Sequence, residues 1–284
     1  MESRIATLIR STVPPIATVL SDVAPGGATQ FKEGRWGCVM WLASAAFKGR
    51  AAVADVSTFG CLGGGTGLGF GNQYRNWQGG IECFYRFLST GNPDAAQAPA
   101  RRPGVRDLDV HGERYVKDPA LVKEFVDGLP IASIDRRYVV FKPLSQVDLA
   151  VETPEVVHFL VDPDRLSALV CLANYSGPGS DNAILPWAAA CQSMGILAMR
   201  EARAQRQRAV VGNLDISARK HMNSQFGPGS LTVSIPFAMF NRMEADAPGS
   251  FLETSQWTDL LDAQDKAASD GPGTPIDPTP GTTP

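Results

Sequence analysis

An α+β (or α/β) fold of two similar strand–helix–strand–helix halves, related by a pseudo-two-fold axis and followed by a disordered Pro-rich tail, is predicted by three observations. The segments around 12–90 and 152–245 echo one another: an apolar run closes near an Asp and a Pro (Ile16–Pro25 and Val156–Pro163), a Trp precedes a cysteine at the head of an Ala-rich segment (Trp36 and Cys38, Trp187 and Cys191), and a basic residue introduces a second apolar run (Arg50 and Arg208). Short β-branched runs alternate with Ala- and Leu-rich stretches, the pattern of strands alternating with helices. From Asp265 the composition collapses to small and polar residues, with four prolines in the last ten positions, a segment with too little apolar surface to order itself. The expected organisation is one globular domain over 1–264 and a disordered tail over 265–284.

The elements follow in order. Ile5, Leu8 and Ile9 share a helical stripe that ends before Pro14-Pro15. Ile16–Leu20 reads as a buried strand, and Cys38–Phe47 as a helix, because it is Ala-rich with a single β-branched residue. Ala51–Val56 is a strand that delivers the chain into Cys61 and a glycine loop. Helices are expected at 80–88 and 119–127, a polar loop at 91–104, and a strand at Tyr138–Lys142. The second half gives a strand at 156–161, a helix at 163–173 opened by Asp162-Pro163, and a helix from about 185 to 206 bearing Cys191. Strands at 208–212 and 231–235 and a helix at 237–244 complete it.

Several functional classes are disfavoured. A net charge of −3 with mixed signs provides no basic face for nucleic acid. No apolar run approaches the roughly 18 residues of a membrane span, and the first ten residues lack the pattern of a secretory signal, so a cytoplasmic protein is expected. Five cysteines, an odd number, argue against a disulfide framework. The six glycines between 63 and 71 fit neither the dinucleotide fingerprint nor a Walker loop, and there is no Gly-x-Ser-x-Gly elbow.

What remains is thiol chemistry. Cys38 and Cys191 fall at related places in the two halves, Cys61 opens the glycine cluster, and thiolates bind soft metals and iron–sulfur clusters. Gly63, Gly64, Gly65 and Gly67 would let backbone N–H groups turn toward those sulfurs. A fourth ligand would come from Cys83 or His221, or be absent. The competing reading makes the three cysteines small buried hydrophobes. Cys171 and His158 are expected in the core and His111 in solvent. Arg35, Arg50, Arg219 and Lys220 flank the motifs and are readable as anion binders or as solvated charges.

The set Pro15–Thr18, Cys38 with its Ala-rich segment, Cys61-Leu62-Gly63-Gly64-Gly65 leading into Gly67–Phe70, Ala190-Cys191 and Leu231–Pro236 resembles the domain of unknown function family 169, over roughly residues 10–252. The resemblance implies recurring cysteines at positions matching 38, 61 and 191, which suits iron–sulfur binding. The expected function is therefore an iron–sulfur protein, four-iron four-sulfur in type, acting as an oxidoreductase or accessory enzyme with an open iron. The alternative is a non-enzymatic small-ligand-binding protein with the cysteines lining its cavity. A small-molecule ligand or a redox partner is expected, with homo-oligomerisation allowed.

Overall fold

The computed structural model describes residues 1–92 and 110–269. Within them the chain folds around a seven-stranded sheet of order β2-β3-β1-β4-β7-β6-β5, where β1 is Ile16–Ser21, β2 Ala52–Ala54, β3 Tyr138–Pro143, β4 Val156–Val161, β5 Ala183–Ile184, β6 Ala209–Gly212 and β7 Leu231–Pro236. Neighbours are antiparallel except β5 and β6. Strands from both expected halves thus belong to one sheet. β1 and β4 meet at its centre, with Ile16 opposite His158 and Thr18 opposite Val156, and the orders β1-β3-β2 and β4-β7-β6 run outward from that pair. All six residues of β4 are buried, as a central strand covered on both faces requires.

Alternation along the strands divides the core in two. On one face Ala17, Val19, Val157, Phe159, Val233 and Ile235 pack under α1 (Arg4–Leu8), α6 (Pro163–Ala173), α10 (Phe237–Asp246) and α11 (Ser255–Ser269). On the other face Ile16, Phe141 and Leu160 meet α2 (Met40–Phe47), α7 (Ala190–Met194) and α9 (Ile216–Phe226). Between these come α3 (Leu62–Gly67), α4 (Ile81–Leu88), α5 (Pro119–Gly128) and α8 (Ile196–Ala202). The helix starts follow local chemistry. Asp162 accepts the Arg165 N–H ahead of Pro163, and Asp118 accepts that of Leu121 ahead of Pro119, each satisfying an orphan donor of a first turn. Asp118→Ala is expected to cost about 1 kcal/mol, measured as a lower denaturation midpoint at unchanged slope.

Four expectations are corrected. The glycine segment is not a loop: Leu62–Gly67 is helical. The long helix over 185–206 is two helices broken at Gly195. Cys171 is exposed rather than core, because the buried stripe of α6 runs through Arg165, Ala168, Leu169 and Leu172 and position 171 falls off that face. The tail does not begin at Asp265, since α11 continues to Ser269; residues 270–284, like 93–104 of the expected polar loop, lie outside the described residues. No helix among the described residues is long and apolar enough to cross a membrane.

Candidate functional site

Three cysteines from distant parts of the chain meet where helices begin. Cys38 stands just before α2, whose N-cap is Val39. Cys61 is the N-cap of α3, its sulfur accepting the Gly64 N–H at 3.2 Å. Cys191 lies in the first turn of α7, and its thiol donates to the carbonyl of Gly63 at 3.3 Å. Helix N-termini carry partial positive charge and unpaired N–H groups, an environment that favours thiolate over thiol.

Burial opposes that preference. It pushes the Cys38 thiol up to about 12, with the neighbouring Cys61 adding to the rise. Burial also raises Cys61, against N–H groups of α3 and Val39 that pull the other way. Cys191 is raised well above its ordinary value, through burial first and then the proximity of Cys61 and Cys38. Cys61 thus stands near enough to raise both of the other thiols, and desolvation favours the protonated form until something replaces the protons.

The glycines of α3 explain why the chain can gather them. A Cβ on Gly67 would lie 2.8 Å from the carbonyl carbon of Cys191 and 2.9 Å from its sulfur; one on Gly64 would lie 2.9 Å from Cβ of Val39, and one on Gly65 2.8 Å from the Phe59 ring. Gly63 faces the Tyr74 hydroxyl, 3.8 Å from where its Cβ would stand. Each glycine in a helix interior costs about 1 kcal/mol relative to alanine, so α3 owes its helicity to being wedged between the Cys38–Val39 segment and α7. Gly63, Gly64, Gly65 and Gly67 are thus spacers that bring helices close, and of their N–H groups that of Gly64 reaches a sulfur.

Polar groups that the sequence did not single out surround the cysteines. The buried Gln192 donates to the Tyr74 hydroxyl at 2.7 Å and accepts the Ala189 N–H at 3.0 Å. Asp215, the N-cap of α9, accepts from Ala218 N–H and from Ala190 N–H, each at 2.6 Å, and so ties the start of α7 to the start of α9. Its carboxyl is pushed up by burial despite those two donors and His221. Glu113 accepts from the Ser217 hydroxyl, and Tyr115 accepts the Ser217 N–H at 2.9 Å. Burial raises Glu113 as well, with the nearby Asp215 reinforcing the shift. The signal available in the sequence was the Asp215-Ile216-Ser217 cap, which marks a helix start but not its neighbours.

The remaining expectations sort by place. Cys83 on α4 packs its sulfur against Gly79. His221 is exposed on α9, and His158 is a satisfied core histidine, bonded to Thr18 at 2.7 Å and Ser234 at 2.9 Å. His111, Arg35, Arg50 and Lys220 are exposed. Arg219 is committed to the carbonyls of Asn213 and Ser230. Among the described residues no group of three or more His, Cys, Asp or Glu side chains is set to hold a single metal ion.

The model of the DUF169 family, described as uncharacterised ArCR, matches residues 4–246. The chain belongs to the DUF169 family. No curated protein and no solved structure matches it. The DUF169 match contains every strand of the sheet, the three cysteines, the glycine helix and Asp215, and it ends at the last residue of α10. Helix α11 lies beyond it, burying Trp257 and Leu261 on the face of the sheet away from the cysteines.

Proposed function

We propose that this DUF169 protein is an iron–sulfur protein with Cys38, Cys61 and Cys191 as ligands, serving as an oxidoreductase or accessory enzyme. The observation that carries the reading is the convergence of three thiols, each at a helix N-terminus, around one glycine helix. The donor set fits such a group: soft sulfur ligands, an N–H donor on the Cys61 sulfur, and a largely desolvated setting that favours exchanging thiol protons for a metal. A polynuclear cluster also spreads its cysteines farther apart than one ion does, so the lack of a single-ion site is no obstacle. Bound there, a four-iron four-sulfur cluster would carry electrons, and with one iron unligated by protein it would serve as a Lewis acid.

The chain's own residues have definite tasks in this reading. Asp215 fixes the first turn of α7 and hence Cys191; Gln192 and Tyr74 tie the same turn to the layer containing α4 and α5. We also propose that the strand sets running outward from the β1–β4 pair are related halves, which gives Cys38 and Cys191 equivalent places ahead of α2 and within α7. A redox partner or a small-molecule substrate, a cytoplasmic location and the absence of nucleic-acid binding belong to the same proposal.

The test is anaerobic purification with absorbance, iron and acid-labile sulfide analysis. The wild type is expected to be coloured, with iron and sulfide in equal amounts, and Cys38→Ser, Cys61→Ser and Cys191→Ser each to lose most of both while remaining folded by circular dichroism. A colourless, iron-free wild type would overturn the reading and favour the alternative, in which the Cys191 thiol bonded to Gly63 lines a cavity for a small ligand.

A further inference from the structure

We infer that the cleft between α8 and residues 130–134 is a binding site for a small organic carboxylate with an apolar body. The cleft has a volume of about 390 Å³, within the range of about 300–1,000 Å³ typical of small-ligand sites. It does not involve the three cysteines, and the inference is independent of the cluster.

Two pieces of backbone build it. Where the chain leaves α3, the Ile134 N–H donates to the Gly69 carbonyl at 2.9 Å. Gly69 has φ of +90°, and a Cβ there would lie 2.8 Å from Ile134, so glycine alone lets the two strips lie against each other. The opposite wall is one face of α8 and its C-cap. Ile196, Met199, Arg200 and Arg203 stand at i, i+3, i+4 and i+7, the spacing that aligns side chains on a helix. The deep part of this wall is the buried pair Ile196 and Met199; the two arginines are half-exposed at the mouth.

Charge selects the ligand. Arg200 uses Nε and Nη2 on Glu201, which also receives Arg208. Arg203 has a single ion pair among the described residues, with Glu155 at 3.7 Å, beyond hydrogen-bond distance. Three arginines against two glutamates leave one excess positive charge, carried at the rim by a guanidinium with donors to offer. One positive charge above apolar walls matches one carboxylate on a hydrocarbon body; a phosphate dianion would place its second charge against Ile134 and Met199.

Isothermal titration of the full chain with hexanoate, 1-hexanol and inorganic phosphate tests this. Hexanoate is expected to bind saturably at one site. Arg203→Ala should weaken it about tenfold or more, and Arg203→Lys less, since charge survives without the fork. Ile134→Trp should abolish binding by filling the cleft while leaving the iron and sulfide content of the protein as in the wild type, so this result and the iron analysis fail or succeed separately. Absence of saturable hexanoate binding, equal affinity for hexanol, tighter binding of phosphate, or an unaltered Arg203→Ala would overturn the inference. Arg203 is half-exposed, so its truncation is not expected to disturb folding, and matching thermal melts check that.

Discussion

Gly195→Ala is expected to destabilise the protein by about 3 kcal/mol, the upper end for overpacking a tight contact, and to disperse the cysteines. A Cβ at this position would stand 1.9 Å from the carbonyl oxygen of Gly67 and 2.9 Å from that of Cys191. Both obstacles are backbone, which cannot rotate away as a side chain would. Relief requires α7 and α3 to separate, and those are the helices that hold Cys191 and Cys61. Gly67→Ala presses on the same contact from the other side, 2.8 Å from the Cys191 backbone, so the double variant should cost less than the sum of the singles. Denaturant unfolding provides the free energies. The control is Gly128→Ala at the end of α5, where a Cβ meets nothing within 4 Å, and which should be neutral or slightly stabilising. Equal midpoints for Gly195→Ala and wild type would mean that the two helices are not packed as described.

The second large effect is on acid stability. His158 is fully buried on the face of the sheet that carries the cysteines, and burial pushes its pKa from 6.5 down to about 3. The neutral ring bridges Thr18 on β1 and Ser234 on β7, donating through one nitrogen and accepting through the other. Below pH 6.5 the unfolded chain takes up a proton on this residue that the folded chain refuses. Stability that is complete above 6.5 is therefore lost as the pH falls toward about 3, by up to about 1.4 kcal/mol per pH unit from this residue alone. Urea midpoints between pH 6.5 and about 5, above the range of ordinary carboxylates, should fall more steeply in the wild type than in His158→Gln, since the raised carboxyls of Asp215 and Glu113 act alike in both proteins. His158→Gln should be less stable at neutral pH yet show a flatter profile across that window. Parallel profiles would show that His158 is not the group responsible.

Much of the scaffold was legible because its signals are local. The run Val156–Val161 and the helix Pro163–Ala173 have the expected bounds, since a β-branched strand, an Asp cap and a Pro at the first helical position each act within a few residues. The strands Tyr138–Pro143 and Leu231–Pro236 begin where expected and run one residue past the expected ends at Lys142 and Ile235. Helix α9 went unread although Asp215 caps it, because its buried stripe of Ala218, Met222 and Phe226 is interrupted by charged and polar residues.

The site was legible only in part. Cys38 and Cys191 stood out by their places in the repeated pattern and Cys61 by the glycines that follow it, and the fold brings the three together. Asp215, Gln192, Tyr74 and Glu113 did not, because what distinguishes them is desolvation and the company of groups far off in the chain.

By itself, then, the sequence determined the alternation of strands and helices, the caps, the family and the three candidate thiols, all of which depend on residue type and short spacing. Tertiary structure decided what depends on partners distant in sequence. It joined β1 to β4 in one sheet, folded four glycines into a helix against their intrinsic preference, broke the Cys191 segment at Gly195, and turned Cys171 outward. In each case the deciding term is packing against a surface that exists only once the chain has folded, and for the glycine helix that packing outweighs local propensity.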